Sequence, residues 1–262
     1  MLRAVLKLCC GITYHICLQR AALAAFGLEL AHLQMQGQMT SALVDEDVFY
    51  LKQGETALEE ALKIVESEDG WQLETAERNG DVIYSKVLSG NRKVFRLEAE
   101  LNASPEELHE ILFFRLEEMH EWNPGIRRIK VRLISYYSFI IAFSIIFSSE
   151  TAGNLIGQRD FLSVRHSSTR ESRVYLGGAS TRLESLPPLP GIVRAENGPT
   201  CIILYPLQDR PDRSRFVWLL NMDAKGWLPQ SLVNKALPRA QVDFTKHLRH
   251  RLAAQNSDNN RY

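Results

Sequence analysis

The sequence predicts an α+β fold, a curved antiparallel sheet held by a long C-terminal helix. Three observations predict it. Strand-like segments come in runs between helical segments instead of alternating with them, which argues against a parallel βαβ wind. Those segments carry period-two or β-branched patterns, with Pro, Asp and Ser in the turns between them. The chain then closes on a helical stripe of Val233, Leu237, Phe244, Leu248 and Leu252, with Lys235, Arg239, Lys246, Arg249 and Arg251 largely off it. An amphipathic helix laid across a curved sheet can leave an apolar chamber between them.

Taken in order, the elements begin with a leader. Residues 1–28 hold Arg3, Lys7 and Arg20 and no acid, and the first carboxylate is Glu29. Leu2, Val5, Leu6 and Cys9 share one helical face. A basic, acid-poor amphipathic helix has the composition of a mitochondrial import presequence. The secretory alternative is weakened by Lys7 and His15 inside its apolar stretch, and a frayed N-terminal helix is the plain alternative. With the Gln-, Ala- and Met-rich stretch after it, this makes 1–44 a targeting leader and tether and 45–258 the folded domain.

From Asp45 the pattern turns helical, with Val48, Leu51, Leu58, Leu62 and Val65 near helical spacing and a stop at Gly70. Trp71–Thr75 and Val82–Val87 flank Asn79–Gly80, a pair that favours a type I′ hairpin. Val94–Leu101 alternates Val94, Arg96, Glu98 and Glu100 against Phe95, Leu97, Ala99 and Leu101. Ser104, Pro105 and Glu107 form a capping box for a helix whose apolar face is Leu108, Ile111, Leu112 and Leu116. Strands are expected at Phe161–Val164, Val174–Gly178, Gly191–Glu196, Cys201–Leu207 and Phe216–Leu220. Pro238 lies inside the terminal helix, where it removes an amide donor and crowds the carbonyl of Asn234, so a kink or break is expected there. Leu133–Ser149 holds no charged residue. It is short for a membrane span and carries Ser and Tyr, so a buried strand or hairpin is the reading its β-branched and aromatic residues favour.

Composition excludes several functions. Charge is balanced at 31 basic and 31 acidic residues, and no basic stripe interleaves with aromatics, so a general nucleic-acid binder is excluded. Three of four cysteines lie in the leader, which leaves Cys201 alone and able to form neither an internal disulfide nor a thiolate metal site. The chain has no G-x-S-x-G elbow, Walker loop, G-x-G-x-x-G or H-E-x-x-H motif, and no cofactor is implied. His247 and His250 are spaced for a metal, but their basic neighbours suit a solvated face. Glu117, Glu118 and Glu121 read the same way. Arg165 is the residue of interest. It shares a strand face with Phe161 and Ser163, either as a strand-end arginine in water or as an inward arginine that hydrogen-bonds a ligand. A buried arginine would need an acidic partner or a polar network.

Ordered strings now carry a resemblance. They include Tyr50–Leu–Lys–Gln–Gly–Glu55, Lys93–Val–Phe–Arg–Leu–Glu98, Glu121–Trp–Asn–Pro124, Ala152–Gly–Asn–Leu155, Arg159–Asp–Phe161, Ile192–Val–Arg–Ala–Glu196, Gly198–Pro–Thr–Cys201, Lys225–Gly–Trp–Leu–Pro229 and Gln241–Val–Asp–Phe244. Over nearly all of residues 45–252 the chain resembles the START lipid-transfer domains. The resemblance implies a helix-grip fold with a hydrophobic tunnel for one cholesterol, acting as a monomeric, non-enzymatic carrier. It implies delivery at the mitochondrial outer membrane for steroid synthesis. It assigns the terminal helix as a lid through Leu237, Phe244 and Leu248, and the polar tunnel positions Asn123 and Arg165, with Thr200 and Trp218 near the cavity.

The departures from that family are specific. The uncharged run replaces a segment whose buried glutamate pairs with the arginine; that position falls near Ile145–Ile146, so Arg165 loses its partner. Asn197 stands for a histidine, Gly125 for an asparagine, and Pro238 for a helix-compatible residue. The phosphorylation motif is reduced to Thr169–Arg–Glu–Ser172. A run of this kind reads as a translated intron or alternative exon. Beside the working carrier this keeps two alternatives open, a lipid-sensing adaptor and a transfer-defective splice variant.

Overall fold

The computed structural model describes residues 40–135, 139–148 and 158–259. The leader and most of the tether expected over 1–44 lie outside them, as does the Ala152–Leu155 string. The chain divides into two compact units, Met1–Phe49 and Tyr50–Tyr262, and the second holds every described strand.

Helix α1 spans Thr40–Val65, starting ahead of the expected Asp45. It ends before Gly70, which takes φ +79° in the following turn. Strands β1 (Gln72–Ala76) and β2 (Val82–Val87) pair antiparallel. The type I′ turn does not form. That turn needs positive φ at both central residues, and here only Gly80 has it, at +90°. The loop is longer. The Glu77 amide donates to the Asp81 carbonyl at 2.8 Å, the Gly80 amide to the Glu77 carbonyl at 3.1 Å, and the Asp81 amide to Asn79 Oδ1 at 3.1 Å. The asparagine side chain thus caps the turn while the glycine makes the left-handed step.

Strand β3 (Lys93–Leu101) alternates as expected except at Val94, which is buried on the face expected to be polar. The reason is α1. It covers the outer face of the sheet, where Leu58, Ala61, Leu62 and Val65 pack with Val94, Cys201, Ile203 and Val217.

The Ser104 cap forms, with Oγ accepting from the Glu107 amide at 3.1 Å. The regular helix α2 lasts only over Pro105–His109. A π turn follows at Glu110–Phe114, then a 3₁₀ turn at Leu116–Glu118 and helix α3 (Met119–Trp122). Leu108, Ile111, Leu112 and Leu116 are nonetheless all buried.

The uncharged run forms the end of β4 (Ile126–Ser135) and all of β5 (Phe139–Ser148), which pair as an antiparallel hairpin. Its backbone is tied further into the sheet, since β5 also pairs with β6 (Gln158–Asp160) and β7 (Leu162–Arg170). Among the described residues no helix is long and apolar enough to cross a membrane. Strand β8 (Arg173–Ser180) follows. The strand expected over Gly191–Glu196 shrinks to two short bridges, β9 (Val193–Arg194) and β10 (Glu196–Asn197). This segment crosses between elements: β9 pairs in parallel with β6, and β10 pairs with β13 (Met222–Asp223). Between them lie β11 (Thr200–Leu207) and β12 (Arg210–Leu220).

The main sheet runs β1-β2-β3-β12-β11-β8-β7-β5-β6-β9, with β4 on β5. Period-two geometry gives the central strand β11 two apolar faces. Cys201 and Ile203 face α1, while Ile202 and Leu204 join the main core with Phe95, Leu97 and Phe216. Gly177 on β8 lets α1 approach closely: a Cβ there would lie 2.5 Å from Leu58 Cβ and 2.8 Å from its Cα.

Helix α4 spans Gln230–Asn259 without interruption. The break expected at Pro238 does not occur. Pro238 removes one helical hydrogen bond, while Leu237 is buried in the core and Gln241 Nε2 donates to the Trp218 carbonyl at 3.1 Å, so contacts on both sides hold the helix to the sheet.

Candidate functional site

A cavity of about 560 Å³ lies between the inner sheet face and α4. Its size falls within the roughly 300–1,000 Å³ usual for small-molecule sites. The sheet supplies Phe161, Leu176, Ile202, Trp218 and Leu220, and the segment around α3 supplies Leu112, Leu116 and Met119. Helix α4 closes it with Ala236, Leu237, Ala240, Asp243, Phe244 and His247. Their spacing of three and four residues puts them on one side of the helix.

The lid contact is aromatic. Phe244 lies 5.0 Å from the Trp218 ring and 5.6 Å from the Trp122 ring. Trp218 therefore joins the sheet floor to the helix above it.

Six of the seven residues expected at the site line this cavity: Asn123, Arg165, Thr200, Trp218, Leu237 and Phe244. Leu248 does not. It is fully buried in the main core, one helical turn beyond Phe244. A turn advances the helix about 5.4 Å, and by then α4 is seated on the sheet. There Thr245 Oγ1 donates to Asp81 Oδ2 at 3.1 Å, and Arg249 reaches the same carboxylate at 2.7 and 2.5 Å. His247, expected on a solvated face, instead lines the cavity, because it falls three residues after Phe244 on the inward side.

Polar groups in the wall are few and mostly engaged. Asn123 is buried and its Oδ1 accepts from the Gly125 amide at 3.1 Å. The Thr200 hydroxyl donates to the Leu219 carbonyl. Arg159 donates to the carbonyls of Ala224 at 2.7 Å and Lys225 at 3.4 Å, and burial pushes its guanidinium pKa down. It thereby anchors the loop that leads into α4. Asp243 pairs with Arg239 at 3.3 Å.

Arg165 differs from these. It stands on β7 between Gly178 of β8 and Ile140 of β5. Burial lowers its pKa to about 10, so it remains charged at neutral pH. Its guanidinium lies over the face of Phe113, 6.0 Å away. Ser163, two residues earlier on the same face, has a buried Oγ without a hydrogen-bond partner. The alternation that put Phe161, Ser163 and Arg165 on one face is observed, with all three at the cavity. Opposite them, Leu162 and Val164 pack with Tyr50.

Sequence reasoning missed the contributions of Asp243 and His247, although both fall on the inward side of the helical stripe. It had no means of finding Leu176 or Ile202, whose side-chain direction depends on strand register. Among the described residues no group of three or more His, Cys, Asp or Glu side chains is placed to hold a metal.

A grip of sheet and helix around one largely apolar cavity is the architecture of a lipid-transfer domain. The START domain family matches residues 51–257. The steroidogenic acute regulatory protein, mitochondrial, of Danio rerio is 38% identical over 277 residues, covering 97% of this chain and 96% of the relative. The Homo sapiens protein of that name is 39% identical over 278 residues, with 96% of each covered. The chain belongs to the START domain family and, within it, to the steroidogenic acute regulatory protein family. Among solved structures, human StAR-related lipid transfer protein 5 superposes with a TM-score of 0.68 at 18% identity, over 78% of this chain and 96% of that one, a likeness of fold.

Proposed function

We propose that this chain is a non-enzymatic carrier that holds one cholesterol between its sheet and α4 and delivers it to mitochondria for steroid synthesis. The observation that carries the reading is the cavity: about 560 Å³, mainly apolar, and closed by one helix. A sterol is nearly all hydrocarbon with a single hydroxyl, which such a wall suits. The mitochondrial naming of the curated relatives supports the destination. The acid-poor leader within 1–44 serves as the import signal and 45–258 as the carrier domain. Asn123, Arg165, Thr200, Trp218, Leu237 and Phe244 form the sterol site.

Release requires α4 to move. Its root is held by Arg159 on the loop at Ala224–Lys225, and its distal half by Asp81. Between these anchors Phe244 rests on two tryptophans, beside the buried Leu237 and the Gln241 bond to the Trp218 carbonyl. Trp227, fully exposed in the loop before α4, suits contact with the outer membrane surface, since indole favours the boundary between water and lipid.

Saturation binding of a fluorescent sterol, followed by transfer from donor vesicles to isolated mitochondria, tests the reading. Binding and transfer by the monomer support it. A folded protein that binds no sterol overturns it. A second reading, a variant impaired in transfer, is favoured by the charge-free run and the unpaired Arg165. It predicts binding without transfer, or binding recovered only when the run carries an acid.

A further inference from the structure

Arg165 is a protonated guanidinium in an apolar cavity, and among the described residues the groups around it do not answer its charge. Its cross-strand neighbours are Gly178, which has no side chain, and Ile140. One strand further, Thr200 already donates its hydroxyl to a backbone carbonyl. Asn123 Oδ1 is occupied by the Gly125 amide. The carboxylate in the wall, Asp243, lies on α4; its Oδ1 pairs with Arg239, and its Oδ2 is buried without a hydrogen-bond partner. The second arginine in the wall, Arg159, is engaged with backbone carbonyls. What Arg165 does have is the face of Phe113 at 6.0 Å, and burial pushes its pKa down.

A charged group in such a place is costly until something balances it. A neutral hydroxyl can accept from one or two of the five guanidinium N–H groups and leaves the charge uncancelled. An oxyanion with two or three oxygens accepts a bidentate pair and cancels it. The unpartnered Ser163 hydroxyl stands beside it, two residues away on the same face, as a further donor.

We propose that Arg165 makes the cavity favour an amphiphile with an apolar body and an anionic polar end, which on the sterol-carrier reading is a steryl sulfate. The neutral sterol then binds as the weaker ligand, and Arg165 is the specificity-determining residue.

Displacement of a fluorescent sterol by cholesterol, cholesteryl sulfate and oleate tests this on the wild type, R165M and R165K. The expected result is cholesteryl sulfate at least tenfold tighter than cholesterol in the wild type and R165K. In R165M the preference for the sulfate over cholesterol disappears. Arg165-dependent binding of oleate assigns the site to anionic amphiphiles generally, and its absence ties the preference to the sterol body. Equal affinity for cholesterol and cholesteryl sulfate in the wild type overturns the proposal, as does a preference that survives in R165M. Should R165M not fold, the wild-type ratio of cholesteryl sulfate to the neutral cholesteryl acetate decides the matter, and a ratio near one overturns it. Binding of the sulfate without cholesterol would sink the cholesterol assignment and leave this proposal standing. Binding of neither would sink both.

Discussion

Replacing Arg249 by Met should destabilise the protein more than replacing Asp81 by Ala, although each removes the same ion pair. Asp81 has 1% of its side chain exposed, and Arg249 has 28%. The Asp81 carboxylate accepts two bonds from Arg249, one from Thr245 Oγ1 and one from Asn79 Nδ2 at 3.0 Å. Without Arg249 it is left as a buried anion with two neutral donors, and breaking a buried pair in this way costs about 3–5 kcal/mol. Without Asp81 the guanidinium still reaches water and keeps the Glu100 carbonyl at 3.0 Å, so the loss falls to about 2–3 kcal/mol. The double variant strands neither charge and should lose less than the sum of the two. Urea denaturation of the four proteins gives the cycle, and hydrogen exchange should show the distal half of α4 opening first in both single variants. Equal losses in the two single variants, or strictly additive ones, would refute the argument that burial asymmetry governs this clamp.

Four further outcomes follow from the same coordinates. Phe244→Ala removes the ring between Trp122 and Trp218 and should speed sterol release at least tenfold while the sheet stays intact, measured by stopped-flow displacement and far-ultraviolet dichroism. Gly177→Ala drives a Cβ into Leu58 and should cost about 1–3 kcal/mol in denaturant unfolding. Burial pushes the Cys201 thiol up to about 12. It should therefore resist iodoacetamide in the native state and react on unfolding. The unfolded thiol ionises near pH 8.5 and the folded one does not, so stability from this group is full below that pH and declines as pH rises toward 12. Trp227→Ala should slow transfer to vesicles while equilibrium sterol binding stays unchanged, and unaltered transfer would remove this residue from the docking surface.

How much of this was legible in advance depends on which forces act locally. The Ser104 cap and the α4 stripe could be read because a cap needs only neighbours within one turn and a helical stripe repeats every few residues. That Phe161, Ser163 and Arg165 share a face could be read because strand side chains alternate whatever the partner strand; that the face points inward came from the resemblance and not from the pattern. The type I′ turn failed because Asn79 has a second use for its side chain, capping the Asp81 amide. Pro238 does not break α4, where contacts from Leu237 and Gln241 to distant strands hold the helix.

By itself, then, the sequence determined the α+β class, the terminal helix, the family and, among the polar residues of the cavity wall, Asn123, Arg165 and Thr200, since these rest on local patterns and ordered strings. Only the tertiary structure decided that Val94 is buried, since that required α1 on the outer face of the sheet. Only it separated Phe244 at the cavity from Leu248 in the core, because one turn further the Asp81 clamp seats the helix on the sheet. And while the loss of a carboxylate opposite Arg165 could be read from the uncharged run, only the structure set Arg165 in register with Gly178 and Ile140 and 6.0 Å from the Phe113 ring, since those neighbours depend on which strands meet there and in what register.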